Sequence, residues 1–324
     1  MRNRIAIVAL AVLAACGGGG GSSPAPMALA SKIFVADSGN AAIGSSPNSN
    51  PPPGVGIIER NISGPNTMLS SNLIDIALDV ANDRLYVADA RSILVFNNAS
   101  TATGNVAPAR VVSSAASGNF AGIYLDTAND RLYASVNVTF ATTEVRVFAN
   151  VSSAVNASPT RTFTFTSNFL FDIAVDTTRN IAYVYSFGGT GFTQISVFDN
   201  AATLSGSVTP NRTITIGETL PAGAAVGMFI DPANDRLYAP RNGAVMVFDS
   251  ASTKSGPAAP ERTITLPVST PSNITVELTA NRLYAADTTG VNIIANASTA
   301  SGTPVITRAL APSGSVFKAV AVAP

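Results

Sequence analysis

No histidine occurs anywhere in the 324 residues, and there is a single cysteine, Cys16. A disulfide within one chain is therefore excluded, and so is a zinc site built from His and Cys in the folded part. A Ser-His-Asp or Cys-His arrangement lacks its usual general base. Charge is also scarce. Charged residues make up 12% of the chain, with 19 basic side chains against 19 acidic ones. Nothing in that balance attracts a nucleic acid through its phosphates, so no nucleic-acid partner is expected. Hydrophobic residues, by contrast, reach 46%, enough to bury a large core and too many for a disordered chain.

The N-terminus reads as an export segment. Met1 to Arg4 is short and basic, and Ile5 to Ala15 is an unbroken apolar run of eleven residues. A bilayer span needs about 20 residues, so the pattern is that of a secretory signal. Leu13-Ala14-Ala15-Cys16 resembles the lipobox of bacterial lipoproteins. That resemblance implies removal of residues 1–15 and lipidation of Cys16, with the membrane as a partner through the lipid. The other reading is an ordinary signal peptide with a chance cysteine. Cleavage would remove Arg2 and Arg4, leaving 17 basic against 19 acidic side chains. Gly17, where an Asp is absent, implies the outer rather than the inner membrane by resemblance to Gram-negative lipoproteins. Residues 16–31, rich in Gly, Ser, Pro and Ala, form a flexible tether with a reach of about 20 Å.

The remainder, 32–324, is repetitive. Ile76-Ala-Leu-Asp-Val-Ala-Asn-Asp-Arg-Leu-Tyr86 returns as Ile123 to Tyr133, Ile173 to Tyr183, Phe229 to Tyr238 and Ile274 to Tyr284. A sixth copy is split: Lys32-Ile-Phe-Val-Ala-Asp37 matches its second half and Val320-Ala-Val322 its first. The aromatic marker falls at Phe34, Tyr86, Tyr133, Tyr183, Tyr238 and Tyr284, at spacings of 52, 47, 50, 55 and 46. Each unit continues with a strand such as Ile93-Leu-Val-Phe96, a Pro-containing loop, and an Arg-led strand such as Arg212-Thr-Ile. Four short strands per unit, a to d, at this period give an all-β six-bladed propeller of antiparallel blades. The C-terminal strand is expected to complete the N-terminal blade, which closes the ring and removes an open edge. The units resemble the NHL-type propeller family, with its Ile-Ala-Val-Asp first strand and Arg-Leu-Tyr-Val-Ala-Asp second strand. The resemblance covers residues 32–324 and implies a fold that hosts unrelated activities. Family members that work through His-bound metal or His bases have no counterpart here.

Groups repeated in every blade are expected to be structural, because a single centre needs one copy of each. Asp79, Asp126, Asp176, Asp231 and Glu277 end strand a, where Asx side chains accept backbone N–H groups. Arg84, Arg131, Arg236 and Arg282 are placed to pair with them. The Arg at the head of strand d, as in Arg212 and Arg262, is expected to protect an outer edge.

Departures from the repeat are the better site candidates. Val136 to Thr143 and Ser186 to Thr193 are long b–c segments in consecutive blades, and the d–a segment carrying Glu218 enters the same area. Phe140, Phe187, Phe192 and Glu218 form a candidate binding rim; the competing reading has these rings folding back onto the blades. A second candidate is the axial mouth, with Asp75, Asp172 and Asn273 before strand a and Asp37, Asp89, Arg241 and Asp287 ending strand b. Asp75 and Asp172 are the pair around which Ca²⁺ would be held through oxygen ligands; otherwise they cap turns, with no cofactor. The expected function is a membrane-anchored extracytoplasmic binding or scaffolding propeller for a protein, glycan or small molecule. The alternative is a Ca²⁺-assisted hydrolase or lyase resembling propeller lactonases. No catalytic residue is assigned.

Overall fold

The computed structural model describes residues 32–48, 58–114, 118–139, 142–188, 192–217, 226–267, 271–288, 290–310 and 314–323. Cys16, Phe140 and Glu218 lie outside them, as does most of the loop after Pro47.

The described chain forms six four-stranded antiparallel blades. Blade 1 joins Phe317–Ala323 as strand a to Lys32–Asp37, Ala42–Pro47 and Arg60–Ser63. Blade 2 is Leu73–Asp79, Arg84–Asp89, Ser92–Asn97 and Arg110–Ser114; blade 3 is Asn119–Asp126, Arg131–Thr139, Thr142–Ala149 and Arg161–Thr164. Blade 4 is Phe169–Asp176, Ile181–Phe187, Thr193–Asp199 and Arg212–Thr215. Blade 5 is Phe229–Asp231, Arg236–Arg241, Ala244–Asp249 and Arg262–Thr265, and blade 6 is Asn273–Glu277, Arg282–Asp287, Gly290–Ala295 and Ile306–Leu310.

Alternation along strand b explains the ring. In Arg-Leu-Tyr, adjacent side chains leave opposite faces of the sheet. Leu85 packs toward blade 1 while Tyr86 packs toward blade 3. The same division places Leu132 and Tyr133 in successive cores. Each of the six apolar clusters is therefore built from two adjacent blades, and the last joins Tyr284 and Val291 of blade 6 to Ile33, Val35 and Val320 of blade 1. Both faces of every blade are buried, so the strands read as nearly continuous apolar runs. Closure follows the expected pairing: Ile33 lies opposite Val322 and Val35 opposite Val320.

The outer edges are covered differently from the sequence expectation. The c–d loop of one blade adds a short parallel bridge to strand d of the preceding blade, at Ile62–Gly104, Phe163–Gly206, Ile214–Gly256 and Ile264–Gly302. Gly104 and Gly206 take φ of 77° and 70°, a region that costs glycine little. In blade 3, Asn156 at φ 47° holds that place, and Asn156 N–H donates to the Val111 carbonyl. The strand-d arginines lie under these loops instead of guarding an open edge. Arg60 donates to Thr101 O of the next blade and Arg161 to Leu204 O, while Arg212 and Arg262 pair with Asp199 and Asp249. The strand-b arginines divide. Arg84 forms the expected ion pair with Asp79, at 3.9 Å, whereas Arg236 pairs with Asp249 instead of Asp231.

Candidate functional site at the propeller axis

Strand a of every blade runs beside the axis. In blades 1 to 4 it contains a bulge, between Leu73 and Asp75 in blade 2 for example. A bulge re-aims the next side chain, and the re-aimed positions Ala319, Asp75, Gly122 and Asp172 form a ring with Gly227 and Asn273, which reach the equivalent places in blades 5 and 6 without a bulge. Small and polar residues alternate. Each polar side chain reaches into the blade that follows. Asp75 Oδ2 accepts Ile123 N–H at 2.9 Å, Asp172 Oδ2 accepts Met228 N–H at 2.6 Å, and Asn273 Oδ1 accepts Val320 N–H at 3.3 Å. Asn273 also donates through Nδ2 to Asp75 Oδ1 at 3.2 Å, and Ile76 N–H donates to the same oxygen at 2.8 Å.

The two ring glycines are small because their neighbours occupy the space. A Cβ on Gly122 would stand 2.1 Å from Asp172 Oδ1, and one on Gly227 1.9 Å from Asn273 Nδ2. Asp75, Asp172 and Asn273 thus form a buried polar plug, each less than a tenth exposed. Burial raises the Asp75 carboxyl to about 7, against the lowering effect of its N–H donors. Burial first, and then the Asp75 charge, push Asp172 well above the carboxylate range. Two such groups side by side cannot both ionise cheaply, so the pair retains a proton near neutral pH.

Beyond the plug, toward the a–b turns, lies a cavity of about 220 Å³. Leu78, Val80, Tyr124, Phe229, Thr275 and Val322 contribute to its wall. The alternation continues one layer down. Where the ring carries Gly122 and Gly227, the residues two further along are the aromatic Tyr124 and Phe229; where it carries Asp75, Asp172 and Asn273, they are Ala77, Ala174 and Thr275.

The axial candidates therefore divide. Asp75, Asp172 and Asn273 converge, whereas the strand-b group caps b–c turns away from the cavity. Asp37 accepts from Gly39, Asn40 and Val316 N–H groups; Asp89 accepts both donors of Ser70; Asp287 accepts Asn292 Nδ2. Arg241 sits at the hairpin opposite Ala244. The donor set suits Ca²⁺ poorly. That ion takes 6–8 oxygens, while both Asp75 oxygens and the Asn273 oxygen already accept hydrogen bonds. Among the described residues no group of three acidic side chains gathers.

On the rim, Val136 to Thr143 is less a loop than an extension of its two strands, to Thr139 and from Thr142. Asn137 locks this hairpin to blade 4 by two bonds with the Leu170 backbone, at 2.8 and 2.9 Å. Phe187 folds back edge-on against Phe171, with ring centres 4.8 Å apart. Phe192 remains 48% exposed.

One set of polar residues escaped the sequence reading. Asp83, Asp130 and Asp235, in the left-handed region at φ 50–51°, each accept the backbone N–H and the hydroxyl of a serine in the c–d loop, namely Ser100, Ser152 and Ser252. In blade 4 the pair becomes Asn180 and Ala202, and only the backbone bond remains. Blade 6 pairs Asn281 with Ser298 through the same backbone bond, so the available signal was an Asp or Asn just before strand b recurring with a Ser or Ala in the c–d loop.

A chain of the nidogen–laminin complex crystal structure superposes with a TM-score of 0.60 at 14% identity, over 91% of this chain and 98% of that one. A functionally unknown protein from Desulfotomaculum acetoxidans DSM 771 gives 0.51 at 10% identity, over 82% of this chain and 75% of the other. At such identities the likeness is one of fold. No family model matches the sequence, and no curated protein does.

Proposed function

We propose that this six-bladed ring is a lipid-anchored, extracytoplasmic binding or scaffolding module that engages a macromolecular partner through the b–c rim of blades 3 and 4. The observation that carries the reading is the rim itself: Phe192 stands exposed in the b–c segment of blade 4, the blade to which Asn137 fixes the lengthened hairpin of blade 3. A pre-ordered surface loses little conformational freedom when it binds, and an exposed aromatic is a typical anchor. Chain direction supports the same orientation. Strand b of blade 1 begins at Lys32, at the a–b end, so a tether on Cys16 leaves from the end opposite the b–c rim. The rim then faces away from the membrane, within reach of soluble or surface partners.

Two experiments on the full chain test this. Cys16→Ser is expected to abolish labelling by a fatty-acid probe and to release the protein from the membrane fraction; retained labelling refutes the anchor. Crosslinking in intact cells is expected to yield a defined adduct that disappears with Phe192→Ser and persists with Val155→Ser, a change at an exposed apolar residue in a c–d loop on the other end. An adduct that survives Phe192→Ser, or none with the wild type, refutes the rim.

A further inference from the structure

The axial cavity has one acidic end and walls that mix polar and apolar surface, and its lining contains no Lys or Arg among the described residues. Buried carboxyl pairs are normally balanced by a basic partner or a metal. Among the described residues this pair has neither, only backbone N–H groups and the Asn273 amide. Asp75 is fully engaged, with both oxygens accepting from three donors. Asp172 has one donor fewer: Oδ2 takes the inter-blade bond from Met228, the Ile173 N–H is its second backbone donor, and Oδ1 lies in the space over Gly122. The side chains that follow are mostly aliphatic and aromatic, with Tyr124 and Phe229 in the layer below the plug.

We propose that this cavity binds a small organic ammonium ligand, its cationic nitrogen on Asp172 and its apolar body against Tyr124, Phe229, Leu78 and Val322. The site is separate from the rim and does not depend on it. Charge selects the class: an anion would meet two acids and no base. A divalent metal finds too few open oxygens, whereas an ammonium needs few acceptors. Aromatic faces add attraction for a cation and for its hydrocarbon part. Size restricts the ligand further, since about 220 Å³ falls below the roughly 300–1,000 Å³ of pockets for drug-sized molecules. Binding also has a proton signature. The pair holds a proton near neutral pH; an arriving ammonium supplies the counter-charge, and that proton passes to the buffer.

Calorimetry on the full chain with benzylamine, benzyl alcohol and CaCl₂ tests the proposal near pH 6.5. Benzylamine is expected to bind saturably, with a heat that varies with the ionisation enthalpy of the buffer, as proton release requires. Benzyl alcohol, of the same shape without the charge, is expected to bind at least tenfold more weakly. Asp172→Asn is expected to weaken benzylamine by tenfold or more and to remove the buffer dependence. Thr275→Leu, which narrows the cavity and leaves both acids in place, is expected to abolish binding and decides the matter if Asp172→Asn does not fold. Phe192→Ser is expected to leave amine binding unchanged, so the rim and the axis fail or stand separately. Equal affinity for the alcohol, saturable Ca²⁺ binding that displaces the amine, no binding at all, or indifference to Thr275→Leu overturns it.

Discussion

Asp172 shows how one side chain acts on two neighbours. It fills the space over Gly122 and accepts the Met228 N–H. Gly122→Ala is therefore expected to destabilise the protein by about 2–3 kcal/mol, as overpacking does, measured by denaturant unfolding. The cost is steric, so Gly122→Ser should be no better. Asp172→Asn should behave oppositely at high pH. Because burial raises the Asp75 and Asp172 carboxyls above their unfolded values, the native state holds protons that the unfolded chain releases. Their cost to stability is absent below about pH 4, grows as pH rises, and is complete once the folded groups ionise, above about 7 for Asp75. Asn at 172 can accept the same N–H, as Asn273 does in blade 6. The variant is expected to melt about 3–6 °C above wild type near pH 8.5 and within about 1 °C of it near pH 4. A uniform shift at both values would refute the titrating pair. The alternation of Asp, Gly, Asp, Gly, Asn and Ala was visible in the sequence. Its meaning was not, because the pairing register, with a bulge in four of the six blades, decides which positions turn inward.

At the level of the blade, the repeated polar residues serve local ties. The a–b turn carboxylates Asp79, Asp126 and Asp231 each bind the Asn three residues on, which the turn chemistry of the sequence anticipated. The tie from Asp235 to Ser252 was missed because its partner lies 17 residues away. Ser252→Ala is expected to cost about 1 kcal/mol, one hydrogen bond, leaving Asp235 Oδ2 with Arg179 at 3.7 Å. Adding Asp235→Asn recreates the Asn180–Ala202 pair of blade 4. The double variant should therefore lose less than the sum of the singles, by about 0.5–1 kcal/mol in a double-mutant cycle. Strict additivity would show that the two residues do not communicate. The loops that cap strand d were illegible for a related reason: a single bridge at glycine leaves no alternating pattern to read.

Over the whole molecule, the split sixth repeat was the strongest signal in the sequence, since each half is meaningless without the other. It predicts that the chain can be re-ended. Ala323 stands opposite Lys32 as Asp79 stands opposite Arg84, and four residues, Val80 to Asp83, bridge the latter pair. A permutant joining Ala323 to Lys32 through Val-Ala-Asn-Asp, reopened in the segment between strand d of blade 2 and strand a of blade 3, is expected to fold to the same β spectrum. Deleting residues 317–324 instead should leave Ile33 and Val35 without their cover and yield aggregated protein by size-exclusion chromatography.

The position of Lys32–Asp37 between two strands of its own sheet has a mechanical result as well. A pull on the N-terminus loads this strand along its length. Its bonds to Phe317–Ala323 on one side and Ala42–Pro47 on the other are then strained together, as in shear, and not peeled one at a time. The point where the molecule would be held against drag or a moving partner is thus where both chain ends are gripped at once.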